Sequence, residues 1–166
     1  MHRITWSFMA VSLLLVSSLC AQRWEPAKKP PFARYAVADT FSSQPAPVDL
    51  RSDPRAPQFR TRLREGARKG PNFAGHYTIT YWNCNHTDCA TLAIIDARTG
   101  RVYFAPFDIE SDIHYQRSSR LLLVDPRTSD ATVEELQGPR VQAWYEWNGR
   151  RLVLIDSVPM RPVSPR

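Results

Sequence analysis

The hydrophobic pattern of this chain changes period once, at Gly70-Pro71, and that change limits the folds open to it. Before the break, Phe59, Leu63 and Ala67 recur at i, i+4 and i+8, one narrow helical stripe, while Arg60, Arg62, Arg64, Arg68 and Lys69 fall elsewhere on the wheel. After the break, polar and apolar residues alternate in short runs separated by turn residues, as strands do. The pattern predicts a helix over about 56–68, with Pro57 in its first turn, Gly66 weakening its end and Gly70-Pro71 stopping it. Six strands follow, over 75–82, 90–95, 101–105, 121–124, 141–147 and 150–156. Their connections are mostly turns, so a parallel doubly wound sheet, which needs a helix between strands, is disfavoured. The expectation is an α+β domain over 55–158: a single helix packed on a mostly antiparallel, roughly six-stranded sheet, a β-meander or a small curled sheet, with 159–166 as a C-terminal tail.

Turn chemistry sets the predicted registers. Asp96 to Gly100 forms a tight turn with Gly100 in the left-handed position. Asn148-Gly149 between two alternating runs reads as a two-residue hairpin, placing Glu146 opposite Arg151, Tyr145 opposite Leu152 and Trp144 opposite Val153. Pro106 to Arg120 reads as a connection, and 127–140 as a polar stretch with Thr132 and Glu135 spaced as a capping box. The segment Gly70-Pro-Asn-Phe-Ala-Gly75 lacks the Lys-Ser/Thr of a nucleotide loop and precedes a strand, so its role is structural: Gly70 caps the helix, Asn72 ties backbone groups and Phe73 packs under the sheet.

Residues 1–21 have a positive start, an apolar stretch from Ile4 to Leu19 and a small residue at Ala21, the form of a secretory signal peptide. Ser7, Ser12, Ser17 and Ser18 interrupt the stretch, which a membrane-spanning helix of about 20 apolar residues would not tolerate well. Cleavage after Ala21 or Cys20 leaves an exported chain, periplasmic or secreted, with no transmembrane segment. A lipoprotein acylated at Cys20 is the alternative, and Leu19 argues against it. In an oxidising compartment Cys84 and Cys89 are expected to form a disulfide, whereas a structural zinc site would need a second ligand pair. Residues 22–54 read as a proline-rich tail or linker, since seven of the 14 prolines lie between 22 and 57, although Phe32, Tyr35, Val37 and Phe41 could dock part of it as an edge strand.

Gly70-Pro-Asn-Phe-Ala-Gly-His-Tyr77, the loop bounded by Cys84 and Cys89, Asp96-Ala-Arg-Thr-Gly-Arg-Val-Tyr103 and Tyr145-Glu-Trp-Asn-Gly149 together resemble a family of small exported bacterial proteins to which no activity is attached. The resemblance covers about 55–155 and implies export and a shared fold. It implies no catalytic residue and no cofactor.

Two regions are candidates for function. The first is a polar loop, Asn83, Asn85, His86 and Asp88 around the cysteines with His76 nearby, which could hold a ligand or simply reflect the turn preferences of these residue types. A small secreted hydrolase using His76 or His86 with Asp88, and an inhibitor or immunity-type protein presenting a rigid loop, are alternatives built on it. Ser118 or Ser119 with His114 and Asp112 makes a poor triad, because no Gly-x-Ser-x-Gly elbow is present. No catalytic residue, metal site or cofactor is assigned.

The second candidate is charge. The chain carries a net +6, residues 22–70 hold 11 Lys and Arg against 5 Asp and Glu, and residues 71–166 hold 10 against 11. Export puts nucleic acid out of reach, so an anionic envelope component or an acidic protein partner is the target that Arg60, Arg62, Arg64, Arg68 and Lys69 would meet. The expected function is therefore an exported, disulfide-stapled binding or envelope-associated module.

Overall fold

A computed structural model describes residues 32–39, 41–84, 89–109, 112–124 and 141–159. The signal segment, the Thr132/Glu135 capping box and the tail beyond 159 lie outside these residues. The architecture is mostly β: one α-helix, α1 (Arg60–Arg68), and two antiparallel sheets. The first sheet holds β1 (Tyr77–Asn83), β2 (Ala90–Asp96) and β3 (Val102–Ile109), in that order. The second holds β4 (Ile113–Tyr115), β5 (Leu121–Val124), β6 (Val141–Trp147) and β7 (Leu152–Pro159), also in chain order. One six-stranded sheet is thus replaced by sheets of three and four strands. The additional strand, β4, comes from the stretch read as a connection, where Ile113, His114 and Tyr115 pair with Val124, Leu123 and Leu122.

The alternation in each strand explains the layering. Tyr77 and Ile79 of β1, Leu92 and Ile94 of β2 and Ala105 of β3 face Leu122, Val124, Trp147 and Leu152 of the other sheet in one core cluster. The intervening residues Ala93, Ile95 and Val102 face the opposite way, onto Leu63 and Ala67 of α1 and Ala56. In the second sheet Leu121, Leu123 and Trp144 turn outward and are covered by Phe32 and Tyr35 from a short 3-10 helix, Phe32–Tyr35. The layers therefore run α1, first sheet, second sheet, 3-10 helix. Both faces of both sheets are partly covered, which is why β2 and β5 read as nearly continuous apolar runs.

Helix α1 begins later than its apolar stripe suggests. Residues 53–59 are successive turns, with Ala56, Gln58 and Phe59 each donating a backbone hydrogen bond to the residue three before it. Gly66, which weakens an isolated helix by about 1 kcal/mol relative to Ala, is the contact point with β1: a Cβ there would lie 2.6 Å from Thr80 Cβ and Oγ1. The helix trades propensity for a close approach to the sheet. Gly70 (φ 78) takes the left-handed position after the helix, its N–H donating to the Ala67 carbonyl at 3.1 Å. Asn72 ties the turn to β1, donating to the Ile79 carbonyl at 3.0 Å and accepting from the Ile79 N–H at 2.7 Å.

The proline-rich segment carries real contacts from residue 32 onward, and it does so as a strap rather than as an edge strand. Its one bridge to the second sheet's loop is Ala36 with Ser119. Ser119 Oγ donates toward the Phe32 and Tyr35 carbonyls at 2.9 and 3.2 Å. Further on, Ala46 N–H donates to the Ala97 carbonyl and Asp49 N–H to the Gly100 carbonyl, both at 2.8 Å. Val48 and Leu50 then pack into the α1 cluster. Gly100 is required twice here. Its φ is 76, and a Cβ would sit 1.9 Å from the Pro47 carbonyl oxygen.

The β6–β7 hairpin corrects a register. Trp147 pairs with Leu152, Glu146 with Val153 and Tyr145 with Leu154, two positions away from the pairing of a two-residue Asn-Gly loop. Gly149 has φ 90 but Asn148 does not share the positive φ that a two-residue turn of the I′ type needs. Instead Asn148 Oδ1 accepts from the N–H groups of Arg150 and Arg151 at 2.9 Å each, and its own N–H donates to the Arg151 carbonyl at 3.2 Å. The side chain closes a wider loop. Because side chains alternate with period two, the two-residue slip leaves the faces next to the loop unchanged, and a register shift between Trp144 and Tyr145 moves the pairing by one more residue beyond it.

Candidate functional site

Three regions hold the residues singled out from sequence, and the fold keeps them apart. On α1, Leu63, Gly66 and Ala67 are buried against the sheet, and Arg60, Arg62, Arg64, Arg68 and Lys69 are exposed. The buried stripe fixes the helix rotation, so Arg60, Arg64 and Arg68 line one flank at i, i+4 and i+8, and Arg62, Glu65 and Lys69 line the other. Arg62 stands 3.9 Å from Glu65. Among the described residues, Arg60, Arg64, Arg68 and Lys69 have no ion-pair partner.

This arrangement is unfavourable for the helix by itself. Like charges at i and i+4 cost roughly 0.2–0.5 kcal/mol a pair, and cations in a first turn oppose the helix dipole. The first turn has no acidic residue, and Phe59 at the N-cap provides no side-chain hydrogen bond. The helix is held by its seat: Phe59 lies 5.0 Å from Trp82 and 5.8 Å from Phe104, ring centre to ring centre.

His76 lies just before β1 and Asn83 at its end, about 23 Å apart at the usual strand rise of about 3.3 Å per residue. His76 is therefore not part of the cysteine loop. Its partners come from elsewhere in the chain. His76 Nδ1 hydrogen-bonds Asp39 Oδ2, and Nε2 faces Asp96 Oδ1 at 3.8 Å, beyond hydrogen-bond range. Arg98 Nη2 donates to both Asp39 oxygens at 2.9 Å. Burial pushes the Asp39 carboxyl up, but the hydrogen bonds from His76 and Arg98 outweigh it and hold the group below the ordinary aspartate range. Beside this cluster Arg117 bonds the Phe41 and Gly75 carbonyls, and Gly75 N–H donates to the Arg117 carbonyl at 2.7 Å. A Cβ on Gly75 would lie 2.5 Å from Asp39 Cβ. The geometry is that of a clasp fastening the strap to the β1 and β2 ends.

The cysteine loop closes β1 onto β2. Cys84 and Cys89 form a disulfide, with Cα atoms 5.6 Å apart and Cys84 N–H donating to the Cys89 carbonyl at 3.0 Å. Asn83 is exposed at the end of β1, whereas Asn85, His86 and Asp88 lie outside the described residues. Of the triad candidates, Ser119 is buried in bonds to the strap and His114 Nε2 lies 3.8 Å from Asp112 Oδ2 on the surface. Among the described residues no three His, Cys, Asp or Glu side chains converge as a metal site, and no helix is long and apolar enough to cross a membrane.

Asp39, which hydrogen-bonds His76, Asp96, which faces its other ring nitrogen, and Arg98, which pairs with Asp39, are not singled out as site residues by the sequence. Asp96 and Arg98 had a local signal in the Asp-Ala-Arg-Thr-Gly turn, where Asp96 Oδ1 accepts from Arg98 N–H at 2.8 Å. Asp39, 37 residues before His76, had none. No protein-family model matches the chain, and comparison with curated proteins and with solved structures likewise finds no match.

Proposed function

We propose that the protein is an exported binding module that engages an anionic envelope surface through helix α1. The observation that carries this reading is the flank of Arg60, Arg64 and Arg68: three exposed guanidinium groups on one face of a helix seated rigidly on a sheet, none with an ion-pair partner among the described residues. Elsewhere Arg98, Arg120 and Arg55 are matched with Asp39, Glu146 and Asp53. A chain that can pair its cations internally and leaves these free, at a cost to helix stability, presents them outward. Export rests on the form of residues 1–21 and is consistent with the Cys84–Cys89 disulfide.

Each Arg near an anionic lipid surface contributes about 1 kcal/mol, so the flank is worth about 3 kcal/mol of attraction at low salt. Cosedimentation with vesicles containing anionic phospholipid tests it. The wild-type chain should pellet at about 0.01 M salt and be released at about 0.15 M, as the screening length shortens from about 30 to 8 Å. Arg60→Glu/Arg64→Glu/Arg68→Glu should stay in solution at both.

A further inference from the structure

The second cationic region surrounds a cavity. A groove of about 490 Å³ runs between the free edge of β3 and the end of the β6–β7 hairpin. Its volume lies within the range of small-molecule sites. Tyr103 and Trp147 supply aromatic surface, Leu152 and Val153 aliphatic surface, and Arg150 and Arg151 complete the lining with charge. Its lining contains no carboxylate. Arg101 adds a third cation, its guanidinium 6.0 Å from the centre of the Tyr103 ring. None of these three arginines has an ion-pair partner among the described residues.

Trp147 is 3% exposed, with its indole N–H toward the Tyr77 hydroxyl and its ring edge-on to Tyr103, 5.1 Å centre to centre. Pro106 allows the β3 edge to remain open here. It sits by the shift in the β2–β3 register, on the edge strand, where its missing N–H removes no ladder bond.

We infer that this groove binds a small amphipathic organic anion, a carboxylate carried on an aromatic or branched aliphatic body. The body lies against Tyr103 and Trp147, and the carboxylate meets Arg150 and Arg151, whose forked donors match its two oxygens. The inference is separate from the α1 reading, since the groove is lined by β2, β3 and the β6–β7 hairpin and by no residue of α1.

The probe pair is 4-phenylbutyrate and its neutral isostere 4-phenylbutanamide, titrated into the full, disulfide-bonded chain. Binding is followed by the indole N–H resonances of the four tryptophans beyond residue 21, with Trp147→Phe assigning the relevant one. For a ligand of this size the carboxylate should saturate with a Kd no weaker than about 1 mM. The Trp147 resonance should move most, and the amide should bind about tenfold more weakly. Arg150→Gln/Arg151→Gln, both exposed, should weaken the carboxylate to the level of the amide with the melting midpoint unchanged. Arg60→Glu/Arg64→Glu/Arg68→Glu should bind as wild type does. Equal binding of acid and amide, no saturable shift at Trp147, or an equal loss in the α1 variant would each overturn the inference, the last by showing attraction to net charge alone.

Discussion

The strap side of the molecule and the α1 side use arginine in opposite ways. At the strap, Arg98 is spent on both oxygens of Asp39 and Arg117 on the carbonyls of Phe41 and Gly75, so charge there fastens chain to chain. On α1, Arg60, Arg64 and Arg68 fasten nothing, and the helix stays in place through Leu63, Ala67 and the approach of Gly66 to Thr80. The contrast separates architecture from recognition. Where the fold needs a cation it provides a partner, and among the described residues cations without ion-pair partners gather on α1 and at the groove.

Two substitutions and one reduction break the comparison on its structural side. Gly100→Ala should have the largest effect, because a left-handed φ of 76 and a Cβ 1.9 Å from the Pro47 carbonyl cannot both be kept. A loss of about 3 kcal/mol in urea unfolding is expected from strain and overpacking together, and hydrogen exchange should show the strap's backbone amides opening first. Reducing Cys84–Cys89 should cost about 2 kcal/mol for so short a loop, visible as a lower denaturation midpoint, and should disturb neither the strap nor α1. Gly66→Ala should lose about 1–2 kcal/mol despite the gain in helix propensity, because Thr80 Cβ lies 2.6 Å from the added methyl. Pairing it with Thr80→Gly removes that contact, and a double-mutant cycle should recover part of the loss.

The smallest effect sharpens the comparison through pH. Asp39 is held below its ordinary range when folded, so the native state binds this proton more weakly than the unfolded chain. Its contribution is fully present above the unfolded aspartate value of about 3.9 and fades as pH falls through the lower folded value. Asp39→Asn should remove that part of the acid dependence between pH 7 and pH 3, measured as the change in unfolding midpoint. An unaltered pH profile would separate the clasp from stability. Arg60, Arg64 and Arg68 have no such internal partner among the described residues and predict no comparable loss.

Much of this division could be read along the chain, and its failures have physical causes. The stripe of Phe59, Leu63 and Ala67, the alternation in β1 and the left-handed Gly100 are local properties, and each appears in the structure. The pattern gives every strand two faces but does not specify which strands pair, so two sheets packed face to face looked like one. The Asn148 side chain closed the hairpin where a backbone turn was expected, moving the register by two. The strap was hardest to read. Its contacts run through isolated groups such as Asp39, Ser52 Oγ accepting from Val102 N–H, and the Pro47 carbonyl, which leave no periodic trace. Asp39 and His76 illustrate the limit, since only the folded chain brings them together.

The most direct test sets the two unpaired cationic regions against each other on anionic vesicles. Arg60→Glu/Arg64→Glu/Arg68→Glu and Arg101→Glu/Arg150→Glu/Arg151→Glu change the net charge by the same amount. The first should abolish low-salt cosedimentation with its melting midpoint unchanged, and the second should retain most of it. Equal loss in both, or full retention by the α1 variant, would contradict the assignment of recognition to α1.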